Sequence, residues 1–363
     1  MRRMSAAAAS PTFVRSDHLI LGGSAVAIAL AAITHFTGSG DVLPFICSAA
    51  AVALLASLVG RSVEQLGDRF GPGATGVLQS ALGNLPELFI CLFALNSGLV
   101  EVVQAALIGS ILANLLFVMG LAFVVGGLKH GTQKLDSERA RQIIVLMVLS
   151  VVAMVIPSLA HYTHAPAADH EKTLSLFVSV ILIVLFFLSL PASLRRSTTA
   201  SEPQMEHEPP RWPVALAVGM LAVAAGAAAL VSDWFVQALE PAMDAAGISD
   251  AFAGLVIVAI AGNAVENVVG IQLAAAGRSE YAFSVVINSP LQISLVLAPV
   301  LVICSQIFGL ASLTLVFSPM LVASVGLAVM LAAVITFDGE SNWLEGAALI
   351  AVYAVIASSF WWG

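Results

Sequence analysis

Two glutamates stand out in a chain that carries little charge. Glu87 lies in GNLPEL (residues 83–88) and Glu266 in GNAVEN (residues 262–267). Each follows an asparagine by three residues, Asn84 and Asn263, so each carboxylate shares a helix face with an amide. Of the 22 acidic residues, these two alone fall deep within long apolar runs. A carboxylate in hydrocarbon is costly and normally lines an ion or proton path. Ser110 and Asn114 follow the first motif; Ser289, Pro290 and Gln292 follow the second. Carboxylate, amide and hydroxyl oxygens form the set that hard cations such as calcium prefer. Gly83, Pro86 and Gly262 can open the helix ladder beside the glutamates and free backbone carbonyls as further ligands.

Other chemistries find less support. All seven histidines (His18, His35, His130, His161, His164, His170 and His207) are read as tail or loop residues. Cys47, Cys91 and Cys304 are dispersed through apolar runs and are read as buried thiols. Zinc or copper would want a nitrogen or sulfur cluster, so no resident metal or other cofactor is expected. Neither a Ser/Lys or Ser/His arrangement nor a metal-bound water is placed at membrane depth, which argues against an intramembrane enzyme.

The elements that must position these residues follow from composition. The chain has 363 residues, 60% of them hydrophobic and only 10% charged, with a mean hydropathy of +1.00. Such a chain cannot clothe a water-facing surface, and long apolar runs favour helices over the alternation of a membrane barrel. The expectation is an all-α polytopic membrane protein with spans at 20–34, 42–59, 73–95, 99–126, 142–159, 173–190, 213–232, 251–276, 282–308, 314–336 and 343–361. The net charge of −8 is spread too thinly for a nucleic-acid partner. Membrane lipid is the implied surroundings, and self-association into a homo-oligomer is compatible with the chain.

Sliding the sequence by 179 residues superposes the two motifs and pairs Gly98 with Gly277, Glu101 with Glu280, Ile108 with Ile287, Ser110 with Ser289 and Leu112 with Leu291. Five spans separate equivalent positions, and an odd offset reverses direction. The layout is therefore one additional N-terminal helix (within residues 1–41) and two inverted five-helix repeats, 42–190 and 213–363, joined by a linker at 191–212. That plan can present a central site alternately to two sides, which suits a transporter better than a continuous pore. Eleven spans with a cytoplasmic N-terminus place 13 of the 14 basic residues inside, Lys172 being the exception. The C-terminus then lies outside, with Trp361 and Trp362 as interfacial anchors. A bacterial plasma membrane is the expected location.

The segment from Gly83 to Leu128 resembles the first repeat of the calcium/proton antiporters of the cation/calcium exchanger superfamily. AGNAVENVVGIQLAAAGRSEYAFSVVINSPLQISLVLAP resembles the second. The resemblance implies exchange of calcium for protons by alternating access, with Glu87 and Glu266 carrying both. It also implies supporting roles for Asn84, Ser110 and Asn114 in the first half and for Asn263, Ser289 and Gln292 in the second. Gln104 belongs to the first signature but falls nearer a span end. Two departures stand out: Asn267 replaces the usual His, and Asn288 replaces the usual Gly before Ser289. A sodium/calcium exchanger, or another cation/proton exchanger of the same fold, is the alternative.

Overall fold

The computed structural model describes residues 12–70, 78, 82–135, 137–196 and 210–362. Apolar chain in a membrane must satisfy its backbone internally, and the described residues are overwhelmingly helical. In order they form α1 (Arg15–Thr37), α2 (Leu43–Phe70), α3 (Leu85–Asn96), α4 (Val100–His130), α5 (Ser137–Tyr162) and α6 (Glu171–Arg196). These are followed by α7 (Val214–Ala246), α8 (Asp250–Gly262), α9 (Ala264–Ala275), α10 (Ser279–Ile307), α11 (Pro319–Ile335) and α12 (Trp343–Ser359). Among the described residues seven helices are long and apolar enough to cross a membrane, and the pair α8–α9, bent by 64°, adds an eighth. α3, α11 and α12 are shorter apolar helices.

Several expected boundaries move. Of the expected third span, 73–95, α3 covers residues 85–95 after a turn at Gly83 and Asn84, and residues 73–77 and 79–81 lie outside the described residues. The seventh was ended at 232, whereas α7 runs to Ala246 and stops at Gly247, which takes the left-handed conformation (φ 65°) that commonly closes a helix. Charge marked the end of the apolar run but not of the helix. Glu240 and Asp244 share an exposed face while Phe235, Leu239 and Ala242 stay buried. The linker was begun at 191, but α6 continues to Arg196; residues 197–209 lie outside the described residues. His18, His35, His130 and His161 belong to helices rather than loops. Of the three free cysteines only Cys91 is fully buried.

α4 and α10 form the interior and carry Ser110, Asn114, Ser289 and Gln292. α4 packs on α8, α9 and α12; α10 packs on α5, α6 and α9; α2 packs on α1 and α7. Without a hydrophobic drive between helices in lipid, small residues set how closely they meet. A Cβ on Gly109 of α4 would fall on the backbone of Leu255 in α8, and one on Gly254 of α8 would fall on the Val102 carbonyl of α4. The backbones there are in direct contact.

Both interior helices loosen locally into π-helix, at Ala113–Val118 in α4 and at Ile293–Leu297 in α10. These stretches superpose to within one residue on the 179-residue offset of the motifs. π-segments inside α-helices occur frequently at functional sites.

The tenth span was expected from 314, yet residues 308–318 are not helical and α11 starts at Pro319. Leu313, Leu315 and Phe317 are nevertheless fully buried. Their backbone is satisfied from neighbouring helices. The amides of Leu313, Leu315 and Phe317 donate to Ser305 (3.2 Å), Ser175 (3.0 Å) and Ser158 (2.8 Å). Gln104 Nε2 donates to the carbonyls of Thr314 (3.1 Å) and Val316 (2.9 Å), and the Ala311 amide reaches the Leu95 carbonyl at 3.3 Å. Irregular backbone at depth is tolerated only when surrounding protein supplies such partners.

Candidate functional site

Each motif sits where its helix breaks. Gly83 and Asn84 form a turn ahead of α3, with Asn84 at φ −93°, ψ 17° and Pro86 in the first turn. Asn263 holds φ −107°, ψ 20° between α8 and α9. Glu87 and Glu266 consequently occupy the first turns of two short helices. The unpaired amides and the dipole at a helix start favour negative charge there.

Glu87 is completely buried, as are Ser110, Asn114 and Asn263, and Ser289 is 3% exposed. The Ser110 hydroxyl donates a short hydrogen bond to Glu87 Oε1. Asn263 Nδ2 donates to Ser110 Oγ at 3.0 Å and to Glu87 Oε1 at 3.4 Å, while also touching the Ala259 carbonyl at 2.9 Å. Ser289 Oγ donates to Asn263 Oδ1 at 3.0 Å. Asn114 Nδ2 reaches the Ser110 carbonyl at 2.9 Å, Ser289 Oγ at 3.2 Å and Asn263 Oδ1 at 3.4 Å. Beside this network Asn84 Nδ2 donates to Gln292 Oε1 at 3.4 Å. Gly262 keeps room for the carboxylate, since a Cβ there would stand 3.2 Å from Glu87 Cγ.

The sequence-predicted residues from the two halves thus meet in one place, with one exception in kind. Glu266 lies one turn along from Asn263 and is partly exposed. Among the described residues it contributes no hydrogen bond to the cluster. Ser289, which offset symmetry would pair with Glu266 as Ser110 pairs with Glu87, instead bonds across to Asn263. Gln104 is well away from the cluster in its bonding and holds the 308–318 segment.

Two acceptors are left over. Glu87 Oε2 and Asn114 Oδ1 are buried and have no hydrogen-bond partner. An unpaired buried acceptor costs about 1–3 kcal/mol, and more for a carboxylate. A cation seated against these oxygens would supply the missing partner. Among the described residues no three His, Cys, Asp or Glu side chains cluster as metal ligands. The arrangement is therefore a carboxylate-poor oxygen site that relies on amides and hydroxyls. Sequence reasoning missed a further polar contact beside it, the buried hydroxyl pair Ser150–Ser294 at 2.8 Å between α5 and α10. Ser294 lies inside the π-wound stretch of α10.

The sodium/calcium exchanger protein family matches residues 41–194 and 216–362, most of the chain. The chain belongs to this family. A Ca(2+)/H(+) antiporter, ChaA, of Bacillus subtilis is 39% identical over 316 residues, covering 85% of this chain and 89% of its own. A Ca(2+)/H(+) antiporter of Synechocystis is 35% identical over 348 residues, covering 90% and 92%. The solved structure of native YfkE superposes with a TM-score of 0.80 at 34% identity, covering 94% of this chain and 99% of that one. The family's two matched stretches leave out all of α1 and residues 195–215 around the linker, and each contains one of the two glutamate motifs.

Proposed function

We propose that the protein exchanges calcium for protons across a membrane by alternating access, with Glu87 and Glu266 as the shared carriers. The observation that carries this reading is the buried Glu87 carboxylate, its Oε2 unpartnered beside the unpartnered Asn114 Oδ1, at a junction of broken helices from both halves. The names of the B. subtilis and Synechocystis relatives support the same pair of substrates. Asn84, Ser110, Asn114, Asn263, Ser289 and Gln292 complete the proposed cation site.

The charges then dictate exchange. Two close carboxylates in a poorly hydrated pocket titrate as a pair. One calcium ion neutralises both, and two protons do the same, so either loaded state leaves the pocket uncharged. The empty pocket would be a buried dianion, which is costly. Interconversion between the two faces is easy when loaded and hindered when empty, so each ion's passage requires the other's return. One calcium for two protons is the stoichiometry that follows.

The same reading places eleven spans in the membrane, with α3, α11, α12 and the bent pair α8–α9 each counted as one, in two inverted repeats after α1. The paired π-segments at the motif offset support the repeat. The basic residues support a cytoplasmic N-terminus and linker, in a bacterial plasma membrane.

The deciding experiment is transport in sealed vesicles with calcium and proton reporters, run with and without sodium. Calcium-driven proton movement that ignores sodium and is lost in Glu87→Gln is the expected result. Calcium movement that requires sodium and releases no protons would reassign the protein to sodium/calcium exchange.

A further inference from the structure

We propose that Asn267 is a cation-binding residue, forming with Asn114 a neutral oxygen station on one side only of the central site. The inference rests on the cation exchange just proposed. It begins from an imbalance in the buried polar groups. Among the described residues, three buried carbonyl or carboxylate side-chain oxygens lack a hydrogen-bond partner: Glu87 Oε2, Asn114 Oδ1 and Asn267 Oδ1. The first two belong to the cluster already described. Asn267 is only 9% exposed, so its amide oxygen is withdrawn from solvent as well as from protein donors.

Helical register places Asn267 next to them. The buried face of α9 recurs at Asn263, Asn267, Gly270 and Ala274, the spacing of one helix stripe. At the near end Asn263 meets Asn114 of α4 and Ser289 of α10. One turn past Asn267, Gly270 faces the same two helices, where a Cβ would stand 2.5 Å from Val286 of α10 and 3.8 Å from Val118 of α4. Asn267 lies between these layers, so it faces the α4–α10 seam one turn beyond the Asn114–Ser289 contact. An apolar residue would fill that position at less cost. Buried carbonyl and carboxylate oxygens left without a donor suit a cation that sheds part of its water on the way in.

The equivalent position in the other half is apolar. On the 179-residue offset Asn267 corresponds to Leu88, which packs against the hydrophobic core. The station therefore serves only the route along α9, the cytoplasmic one in the proposed orientation. An amide does not titrate, so it adds cation affinity there without adding proton dependence.

The test uses the full-length protein in vesicles whose exposed face is either cytoplasmic or external, titrating calcium at fixed pH. Asn267→Leu keeps the shape and removes the oxygen. It is expected to raise the half-saturating calcium at the cytoplasmic face roughly three- to tenfold, the size of one neutral contact. The external value and the pH slope stay as in the unaltered protein. Asn267→Asp restores the oxygen, so it keeps or lowers the half-saturating value and steepens its pH dependence. The proposal is overturned if Asn267→Leu titrates like the unaltered protein at the cytoplasmic face, or if Leu and Asp raise the value alike. Absence of exchange in the unaltered protein overturns the underlying function instead, and that shows in the control before any variant is compared.

Discussion

The two halves carry the same short motif, yet they hold their carboxylates differently. In the first half Glu87 is sealed, hydrogen-bonded by Ser110 and approached by Asn263 from the other half. In the second half Glu266 is partly exposed, and the serine that matches Ser110 has turned to Asn263. The difference cannot come from the motif, because both asparagines sit at helix breaks and both glutamates in first turns. It comes from what surrounds them. Beyond α3 the extended segment 308–318 ties into Leu95, Gln104, Ser158, Ser175 and Ser305. Under the proposed orientation this segment covers the outer side of the site, while Glu266, the partly exposed carboxylate, lies toward the inner side. Under the proposed alternating access, two matching halves in one state of the cycle must look unequal, since a pathway open at both ends would leak.

The strongest challenge to this contrast is to remove each carboxylate in turn. Glu87→Gln and Glu266→Gln should both reduce calcium-driven proton counterflow to background in reconstituted vesicles at matched protein content, despite their different burial. Normal rates in either variant would confine the carrier role to the other half. The next effect is nearly as large. Protons and calcium compete for the same pair, so acidification lowers calcium affinity. The apparent dissociation constant should rise by up to about 100-fold per pH unit where both groups must release a proton. Calcium titrations of purified protein across pH would show it, and a flat profile would remove protons from the site.

Exposure can be compared directly. In a cysteine-free background Glu266→Cys should react with an impermeant thiol reagent from the cytoplasmic face faster than Glu87→Cys does. Equal reactivity would erase the asymmetry. A smaller effect concerns the contact between α4 and α8. Gly109→Ala should lower stability by about 3 kcal/mol, because the added methyl meets backbone rather than a movable side chain. Thermal unfolding in detergent measures this. Smallest is Ser158→Ala, which strips the Phe317 amide and Leu315 carbonyl of their partner and should cost about 1–2 kcal/mol by the same assay.

Much of the site was legible because its residues are out of place. Asn84, Glu87, Asn263 and Glu266 are polar within apolar runs, and their repetition marked them. Their supporting residues on α4 and α10 were equally visible, but their partners were not. Nothing in the spacing of Ser289 says that it bonds Asn263 rather than Glu266, since that choice depends on which conformation the bundle holds. The π-segments carry no compositional mark either. The 308–318 segment reads as the start of a span because Leu313, Leu315 and Phe317 are apolar. Its extended form depends on hydroxyls from Ser158 and Ser175, well over a hundred residues earlier in the chain. Long-range satisfaction of backbone groups decided that region, and no local pattern encodes it. Asn267 departs from the family pattern in sequence, but its burial without a partner for Oδ1 is visible only in the structure.

The crossing of α4 and α8 has a mechanical consequence. With Gly109 against the Leu255 backbone and Gly254 against the Val102 carbonyl, the two helix backbones touch at residues that carry no side chain of their own to hold them apart. The same face of a helix recurs only every three or four residues, so sliding α8 along α4 would carry Gly254 off the Val102 carbonyl and bring side-chain-bearing residues toward the contact. Rotation about the point of contact meets no such obstacle. In the proposed cycle the crossing would act as a bearing, resisting shear more than torsion and holding Ser110, next to Gly109, near Asn263.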